Sequence, residues 1–430
     1  MTRRSRAKLM AAGTIGNVLE FYDFAIYGFF AISLGRTFFP GSDEVAQVLA
    51  AFGVFAVGFL MRPLGGAVTG YIGDRYGRRT ALTFSVTAMA VPTFLVGLLP
   101  GYQTLGIMAP VLLVVLRAVQ GLSVGGEYAT SFTFMVENAP PGRAGLTAAI
   151  GNTGAVLGML LGSGAGTLLA SILSPAALDD WGWRLPFLAG LVVGVTGYLL
   201  RRDIEEIQSP RDRSHAPVAE VFRHHKRLVA QLAGLPAFGA VGYYLMFVYV
   251  VSWLQLVDGL PPDRALGLNT VGMAALVPVA IGAGWLGDRI GCRKVLTIAV
   301  VLGLFGAVPF LWLMHHEAPA LIMLGQLGFV LVAGSAAAVQ PVLLVESAPR
   351  HIRCTTVAIS YNLSYGLLGG TAPMAATWLI QRTTMDLSPA FLVVAAAIVS
   401  LIAIATFRTA APAHAATAGP LAAPAPAEGG

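Results

Sequence analysis

The sequence predicts an all-α integral membrane protein of twelve membrane-crossing helices, arranged as two six-helix halves of related sequence. Three observations predict it. Hydrophobic residues make up 56% of the 430-residue chain and charged residues only 11%, where soluble domains carry about 25% charged. The apolar residues fall in long runs, and about 20 of them in succession cross the roughly 30 Å of hydrocarbon in a bilayer. Two loop sequences also recur half a chain apart. The mean hydropathy of +0.74 agrees. Most of the 51 glycines and many of the 25 prolines lie inside apolar runs, where lipid-embedded bundles use small residues for close contact and prolines for kinks. Soluble enzyme, secreted scaffold and disordered polymer are poor fits. Cys292 and Cys354 give no disulfide framework, and neither has a second thiol nearby in sequence to complete a metal site. No metal or cofactor is expected.

Cutting the chain at charges and turn signals places the first six spans at 11–35, 47–72, 80–99, 107–134, 144–173 and 184–200. The last six fall at 230–257, 265–286, 295–314, 320–345, 354–381 and 387–407. The stretch 184–200 is the weakest, being short and opening at Trp183-Arg184. A β-barrel is a poor fit, because these runs are too long and too uniformly apolar for its alternating pattern. The expected organisation is an N-terminal half over 1–200, an inter-half loop over 201–229, a C-terminal half over 230–407 and a disordered tail over 408–430. Within the loop, 217–223 can start a short helix lying against the bundle.

Twelve spans put both chain ends on one side, and the basic residues choose which. Twenty-one Lys and Arg fall on the side of the N-terminus, whereas the other side holds four: Arg36, Arg184, Arg264 and Arg382. The positive-inside rule makes both ends cytoplasmic, in the cell (inner) membrane. Topology therefore explains the net charge of +6, and no nucleic-acid partner is expected. The basic stretch 1–10 runs into a helix too long for a signal-peptide core and is read as a retained cytoplasmic end.

Gly73-Asp74-Arg75-Tyr76-Gly77-Arg78-Arg79 joins spans 2 and 3, and Gly287-Asp288-Arg289-Ile290-Gly291-Cys292-Arg293 repeats it between spans 8 and 9, at an offset of 214 residues. Glu137-Asn138-Ala139-Pro140 after span 4 returns as Glu346-Ser347-Ala348-Pro349 after span 10, at an offset of 209. Two echoes at nearly one offset indicate an internal repeat, the construction used by alternating-access transporters. The aspartates can sit near helix N-termini and pair with arginines across the interface between halves. The expected gating set is Asp74, Arg75, Arg78, Arg79, Asp288, Arg289, Arg293, Glu137, Arg143, Glu346 and Arg353; the plainer alternative is solvated loop charge kept for topology.

Five ionisable residues lie within the apolar runs: Glu20, Asp23, Arg62, Arg117 and Glu127. Each costs about 2.5–3.5 kcal/mol at a helix centre, so partners or a wet cavity are required. At 1.5 Å per residue, Asp23 lies roughly 18 Å from the N-terminal side and Arg117 about 15 Å from the other. Both are near the midplane. Glu20 is one turn from Asp23 on the same face, and Glu127 follows Gly125-Gly126 nearer the cytoplasmic end. All seven histidines lie in loops, tails or span ends, so a coupled proton must ride on a carboxylate, whose titration burial and neighbouring charge can tune. A static buried salt bridge is the competing reading. Asn17, Tyr22, Tyr27, Tyr243, Tyr244, Trp253, Tyr361, Asn362 and Tyr365 are candidate cavity walls. Gly154, Gly158, Gly162 and Gly166 form one stripe of span 5, and Gly366–Gly370 serves span 11; both read as packing surfaces.

These residues resemble a known family. The Asp74-to-Arg79 loop and its repeat are similar to the loop signature of the major facilitator superfamily. Gly16-Asn17-x-x-Glu20-x-x-Asp23-Phe24 more narrowly resembles its metabolite:proton symporters, which include proline/betaine, α-ketoglutarate, shikimate and citrate carriers. The same holds for Gly58-Phe59-Leu60-x-Arg62-Pro63, Gln120-Gly121-x-Ser123-x-Gly125-Gly126-Glu127-Tyr128 and Trp181-Gly182-Trp183-Arg184-x-Pro186-Phe187, so that the resemblance spans about residues 10–407. It implies a twelve-helix fold with a central cavity, inward co-transport of protons with a small organic acid or zwitterion, and no enzymatic step. Asp23 and Arg117 then correspond to the span 1 acid and span 4 base used for coupling, with Glu20 and Glu127 as further proton-coupling candidates. Arg62, Asn17, Tyr27, Tyr243, Tyr361 and Asn362 become candidate solute contacts. Arg62 and Arg117 favour a carboxylate, whereas the aromatic residues equally suit a quaternary ammonium. Cys292 departs from the pattern where the first loop has Arg78. The partners expected are a small-molecule solute, a proton and lipid, with a monomeric chain. A proton antiporter exporting an organic compound and a non-transporting solute sensor are the alternatives; the sensor would need an output domain that 201–229 and 408–430 do not offer.

Overall fold

The computed structural model describes residues 17–18, 20–41, 43–76, 78–125, 127–201 and 217–406. Every described secondary element is helical, and each of the twelve expected spans is occupied by helix. Span 1 covers 20–38 with a break at Phe30. Span 2 joins Glu44–Leu60 to Arg62–Tyr76, and span 3 is Arg78–Leu98. Span 4 joins Met108–Val124 to Glu127–Glu137; spans 5 and 6 are Ala144–Ile172 and Arg184–Arg201. Span 7 runs through Lys226–Gly234, Ala237–Tyr244 and Val250–Leu256. Spans 8, 9 and 10 are Pro262–Ile290, Cys292–Met314 and Pro319–Ser347. Span 11 joins Arg353–Asn362 to Ala372–Thr383, and span 12 is Pro389–Thr406.

Local chemistry explains the boundaries. Asp43 starts span 2 by accepting hydrogen bonds from Val45 N at 2.9 Å and Ala46 N at 3.2 Å, satisfying helix N–H groups that have no partner of their own. Prolines stand in the first turns of spans 8, 10 and 12, where a missing N–H costs nothing. Gly291, at φ +97°, makes the tight reversal between spans 8 and 9. The expected loop helix forms at Pro217–His224, and its Val221 packs with Val229 and Ile352.

Burial sorts the spans. Every residue from 20 to 35 is buried, as is the whole apolar window of span 7. Spans 6, 9 and 12 instead turn Val192, Phe305, Trp312, Ile398 and Ile402 outward, as helices facing lipid do. Charged side chains on span 1 are thereby kept away from the hydrocarbon. Five expected continuous spans are interrupted, span 2 by a single turn residue at Met61. Spans 7 and 11 each contain a wide π-helical turn, Leu245–Tyr249 and Leu363–Gly369, span 4 breaks after Val124, and span 1 breaks at Phe30. Such turns free or re-aim backbone groups and concentrate at functional sites, and the hydropathy of the sequence carries no mark of them.

Glycines set the closest approaches. A Cβ on Gly158 would stand 2.3 Å from Val18 O and one on Gly162 2.9 Å from Ala25 Cβ, so the glycine stripe of span 5 lies directly on span 1. Spans 2 and 4 meet backbone to backbone: a Cβ on Gly121 would lie 2.0 Å from Gly58 O, and one on Gly125 1.8 Å from Arg62 O. Gly366 and Gly370 seat span 11 on Phe59. Tyr22 Oη donates to Pro186 O at 2.8 Å, tying span 1 to the start of span 6.

Candidate functional site

Span 1 presents two acids on one face, and spans 2 and 4 each meet one with an arginine. Arg117 Nη1 donates to Asp23 Oδ2 at 2.7 Å. Gln120, one turn along span 4, donates from Nε2 to Asp23 Oδ1 at 2.7 Å and accepts from Arg117 Nη1 at 2.9 Å. Thr93 of span 3 completes the cage, with its hydroxyl 2.6 Å from Asp23 Oδ1. One turn away, Arg62 Nη2 donates to Glu20 Oε1 at 2.6 Å. All six side chains are buried. Two acids and two arginines cancel in charge, which makes their burial tolerable; as an isolated pair each would be weak evidence of stability.

Aromatic rings wall these pairs. The Arg117 guanidinium carbon lies 4.3 Å from the Tyr27 ring centroid and 5.0 Å from that of Phe24, and Arg62 lies 5.2 Å from Phe59 and 5.7 Å from Phe24. Two nitrogens of Arg117, Nε and Nη2, meet no hydrogen-bond acceptor among the described residues. Gly58 stands opposite, with no side chain between its backbone and the guanidinium.

Spans 7, 10 and 11 close the core with uncharged groups. Tyr244 packs edge-on to Phe59, with centroids 4.9 Å apart. Tyr361 stacks on Tyr365 at 4.2 Å, and the Tyr365 hydroxyl accepts from Gln340 Nε2 at 2.6 Å. Asn362 Nδ2 reaches Gly125 O at 2.6 Å, crossing to the break in span 4. The charge of the core thus lies on spans 1, 2 and 4, and its aromatic and amide surface continues onto spans 7, 10 and 11.

The structure brings together Asp23, Arg117, Glu20, Arg62 and Tyr27 among the residues expected from sequence. Tyr243, Tyr361 and Asn362 are buried on the facing spans, and Asn17 is buried at the start of the described chain. The side chains of Glu127, Asp74, Arg75, Arg78 and Arg79 lie outside the described residues. Thr93, Gln120, Phe55, Phe59 and Gln340 were not singled out by sequence as site residues. Gln120 carries the one usable signal, a polar residue one turn from a buried arginine.

The end of the bundle carrying residues 137–145 and 284–293 is held by contacts between the first six and last six spans. Glu137 Oε1 accepts from Arg353 Nη1 at 2.7 Å. Asp288 accepts from the backbone N–H groups of Gly145 at 2.6 Å and Leu146 at 2.9 Å, capping span 5 from span 8. Arg289 instead stacks on Trp285, and Arg293 donates to Ile404 O at 2.7 Å. Arg143 and Glu346 are exposed. At the opposite end Arg36 bridges Glu44 and Asp179, and Asp258 pairs with His315. Burial pushes the Asp258 carboxyl above the usual carboxylate range, against the pull of His315 beside it.

Removing the Glu137–Arg353 contact is expected to cost less than about 1 kcal/mol of stability, since Glu137 is partly exposed. In a Cys292→Ser background, Glu137→Gln should nevertheless speed maleimide labelling of the neighbouring Cys354. An unchanged labelling rate would remove the pair from any gate.

With this geometry in place, the comparisons with known proteins are specific. The Major Facilitator Superfamily profile matches residues 13–373. The chain is 33% identical over 410 residues to the glycine betaine/proline/ectoine/pipecolic acid transporter OusA of Dickeya dadantii, covering 92% of this chain and 82% of that protein. It is 32% identical over 416 residues to the proline/betaine transporter of Escherichia coli K12, covering 93% and 83%. Among solved structures, a D-xylose–proton symporter superposes with a TM-score of 0.73 at 20% identity, over 91% of this chain and 96% of that one. The proton:xylose symporter XylE bound to 6-bromo-6-deoxy-D-glucose gives 0.72 at 17%, over 94% and 95%. At such identities the structural likeness establishes the fold, twelve helices in two six-helix halves.

Proposed function

The chain belongs to the major facilitator superfamily, and from that premise we propose that it is a proton-coupled symporter of a small betaine- or proline-like zwitterion, working by alternating access. The relatives' transport of glycine betaine and proline supports the solute class. The observation that carries the reading is the pairing of a buried acid with an arginine that keeps two donors unused, in a core whose remaining walls are aromatic.

With Asp23 ionised, Arg117 is held by it. A proton arriving on Asp23 cancels that attraction, and the guanidinium is free to take a solute carboxylate through paired N–H donors. The cationic nitrogen of the same solute is attracted to ring faces such as Tyr244 and Tyr361. One proton and one zwitterion then enter together, and the loaded site carries the single positive charge that the proton brought. The Glu137–Arg353 pair and the Asp288 cap are the contacts to be broken for release on their side. Glu20–Arg62 is the second pair able to exchange partners. We assign residues 1–200 and 230–407 to the two moving halves, and the 21-to-4 division of basic residues supports a cell-membrane orientation with both ends cytoplasmic.

Proteoliposomes with an acidic exterior and alkaline lumen test this directly. Labelled glycine betaine or proline should accumulate above the external concentration and leak out on addition of a protonophore. Uptake that equilibrates without accumulating would overturn proton symport, and accumulation of citrate but neither zwitterion would overturn the solute class.

A further inference from the structure

Away from the buried charges, three ligating side chains distant in sequence stand together. Glu220 lies on the loop helix Pro217–His224, and His225 sits at its joint with Lys226–Gly234. His351 belongs to the short 3-10 turn Arg350–Ile352 that opens span 11. One ligand atom from each falls within 4.8 Å of the other two, and His351 Nε2 lies 3.0 Å from Glu220 Oε1. Ligands of a tetrahedral zinc ion are separated by roughly 3.4 Å, from bonds of about 2.1 Å. Side-chain rotation alone closes the difference. The backbone beneath is already fixed, because Val221 and Ile352, each next in sequence to a ligating residue, pack together with Val229 in a buried apolar cluster.

We propose that Glu220, His225 and His351 form a binding site for a divalent transition-metal ion of the zinc class. Two imidazoles and one carboxylate suit such an ion, whereas magnesium and calcium prefer all-oxygen sets. His351 is exposed, which leaves the fourth position to water. Arg223, His224, Lys226 and Arg227 line the adjoining depression, and Arg350 precedes His351. The arginine and lysine charges repel loosely held cations, so only direct coordination secures an ion here. The sequence expectation of no metal rested on spacing along the chain, and the two histidines are 126 positions apart. A bound ion ties the inter-half loop to the first turn of span 11, and so holds the loop in place on one half.

Calorimetric titration of Zn²⁺ into purified, tag-free protein tests the site. One ion per chain is expected, with Mg²⁺ giving no heat. The double variant His225→Ala/His351→Ala should bind at least about tenfold more weakly, and His224→Ala should bind as the parent does. Glu220→Gln, which keeps a hydrogen-bonding partner for His351, should also weaken binding. Zn²⁺ should slow tryptic cleavage at Arg223, Lys226 and Arg227 in the parent and not in the double variant. Absence of binding in the parent, or equal affinity in the parent and a folded double variant, overturns the proposal.

Discussion

Replacing Asp23 by Asn is expected to abolish accumulation driven by a pH gradient while leaving solute exchange measurable. The amide oxygen still accepts from Arg117 and its NH2 can donate to the Thr93 hydroxyl, while Gln120 Nε2 loses its acceptor on this residue and keeps the one on Thr93. What it loses is the proton. Solute affinity measured from about pH 5 to 8 should depend on pH in the parent and flatten in D23N. The variant also leaves Arg117 uncompensated, at about 3 kcal/mol if the rings of Tyr27 and Phe24 offset part of the loss. The double variant D23N/R117Q should recover that stability and still fail to accumulate solute. Accumulation by D23N equal to that of the parent would move the proton to Glu20, one turn away.

The second large effect is expected at a residue with no chemistry of its own. Gly121→Val should sharply reduce the yield of folded protein, because even its Cβ would stand 2.0 Å from Gly58 O and 2.8 Å from Met61 Cβ. Both helices are committed at this point, and backbone cannot rotate aside as a side chain can. Overpacking costs about 1–3 kcal/mol in a core that can relax, and this contact has less room than that. The milder Gly121→Ala is the informative variant. Gly121 follows Gln120 directly, so pushing span 4 off span 2 draws Arg117 and Gln120 from Asp23. It should therefore damage coupling more than insertion, read as lost accumulation in protein that remains monodisperse. Full accumulation by G121A would show that span 4 can shift without disturbing the pair.

The fold was legible because hydrocarbon imposes a length on every helix, and the long apolar runs answer it. Among the described residues, seven helices satisfy length and hydropathy by themselves. Spans 1 and 11 do not; they carry Glu20, Asp23, Asn362 and the wide turn after it, and these polar side chains are buried against neighbouring helices. The charged part of the site was legible for a related reason, since an acid or arginine in an apolar run is costly enough to demand a use. Thr93 and Gln120 escaped because a neutral polar side chain in a helix can satisfy itself locally. The π-helical turns of spans 7 and 11 escaped because no residue periodicity encodes them. His225 and His351 lie in separate loops, and only the packing of the loop helix on span 11 joins them.

The break in span 4 divides that helix into two levers. The segment Met108–Val124 carries Arg117 and Gln120 and is fastened to Asp23, and Glu127–Glu137 ends at the contact with Arg353. Between them the Gly125 carbonyl is held by Asn362 from span 11. A continuous rod would transmit any tilt at residue 137 straight to the guanidinium and disturb its pairing with Asp23. A knee at residue 125, braced from the opposite half, lets the outer limb swing while the inner limb keeps its grip. On the proposed roles of Asp23 and the Glu137–Arg353 pair, the opening of that end and the transfer of the proton need not move in one stroke, and whichever acts first leaves the other still set.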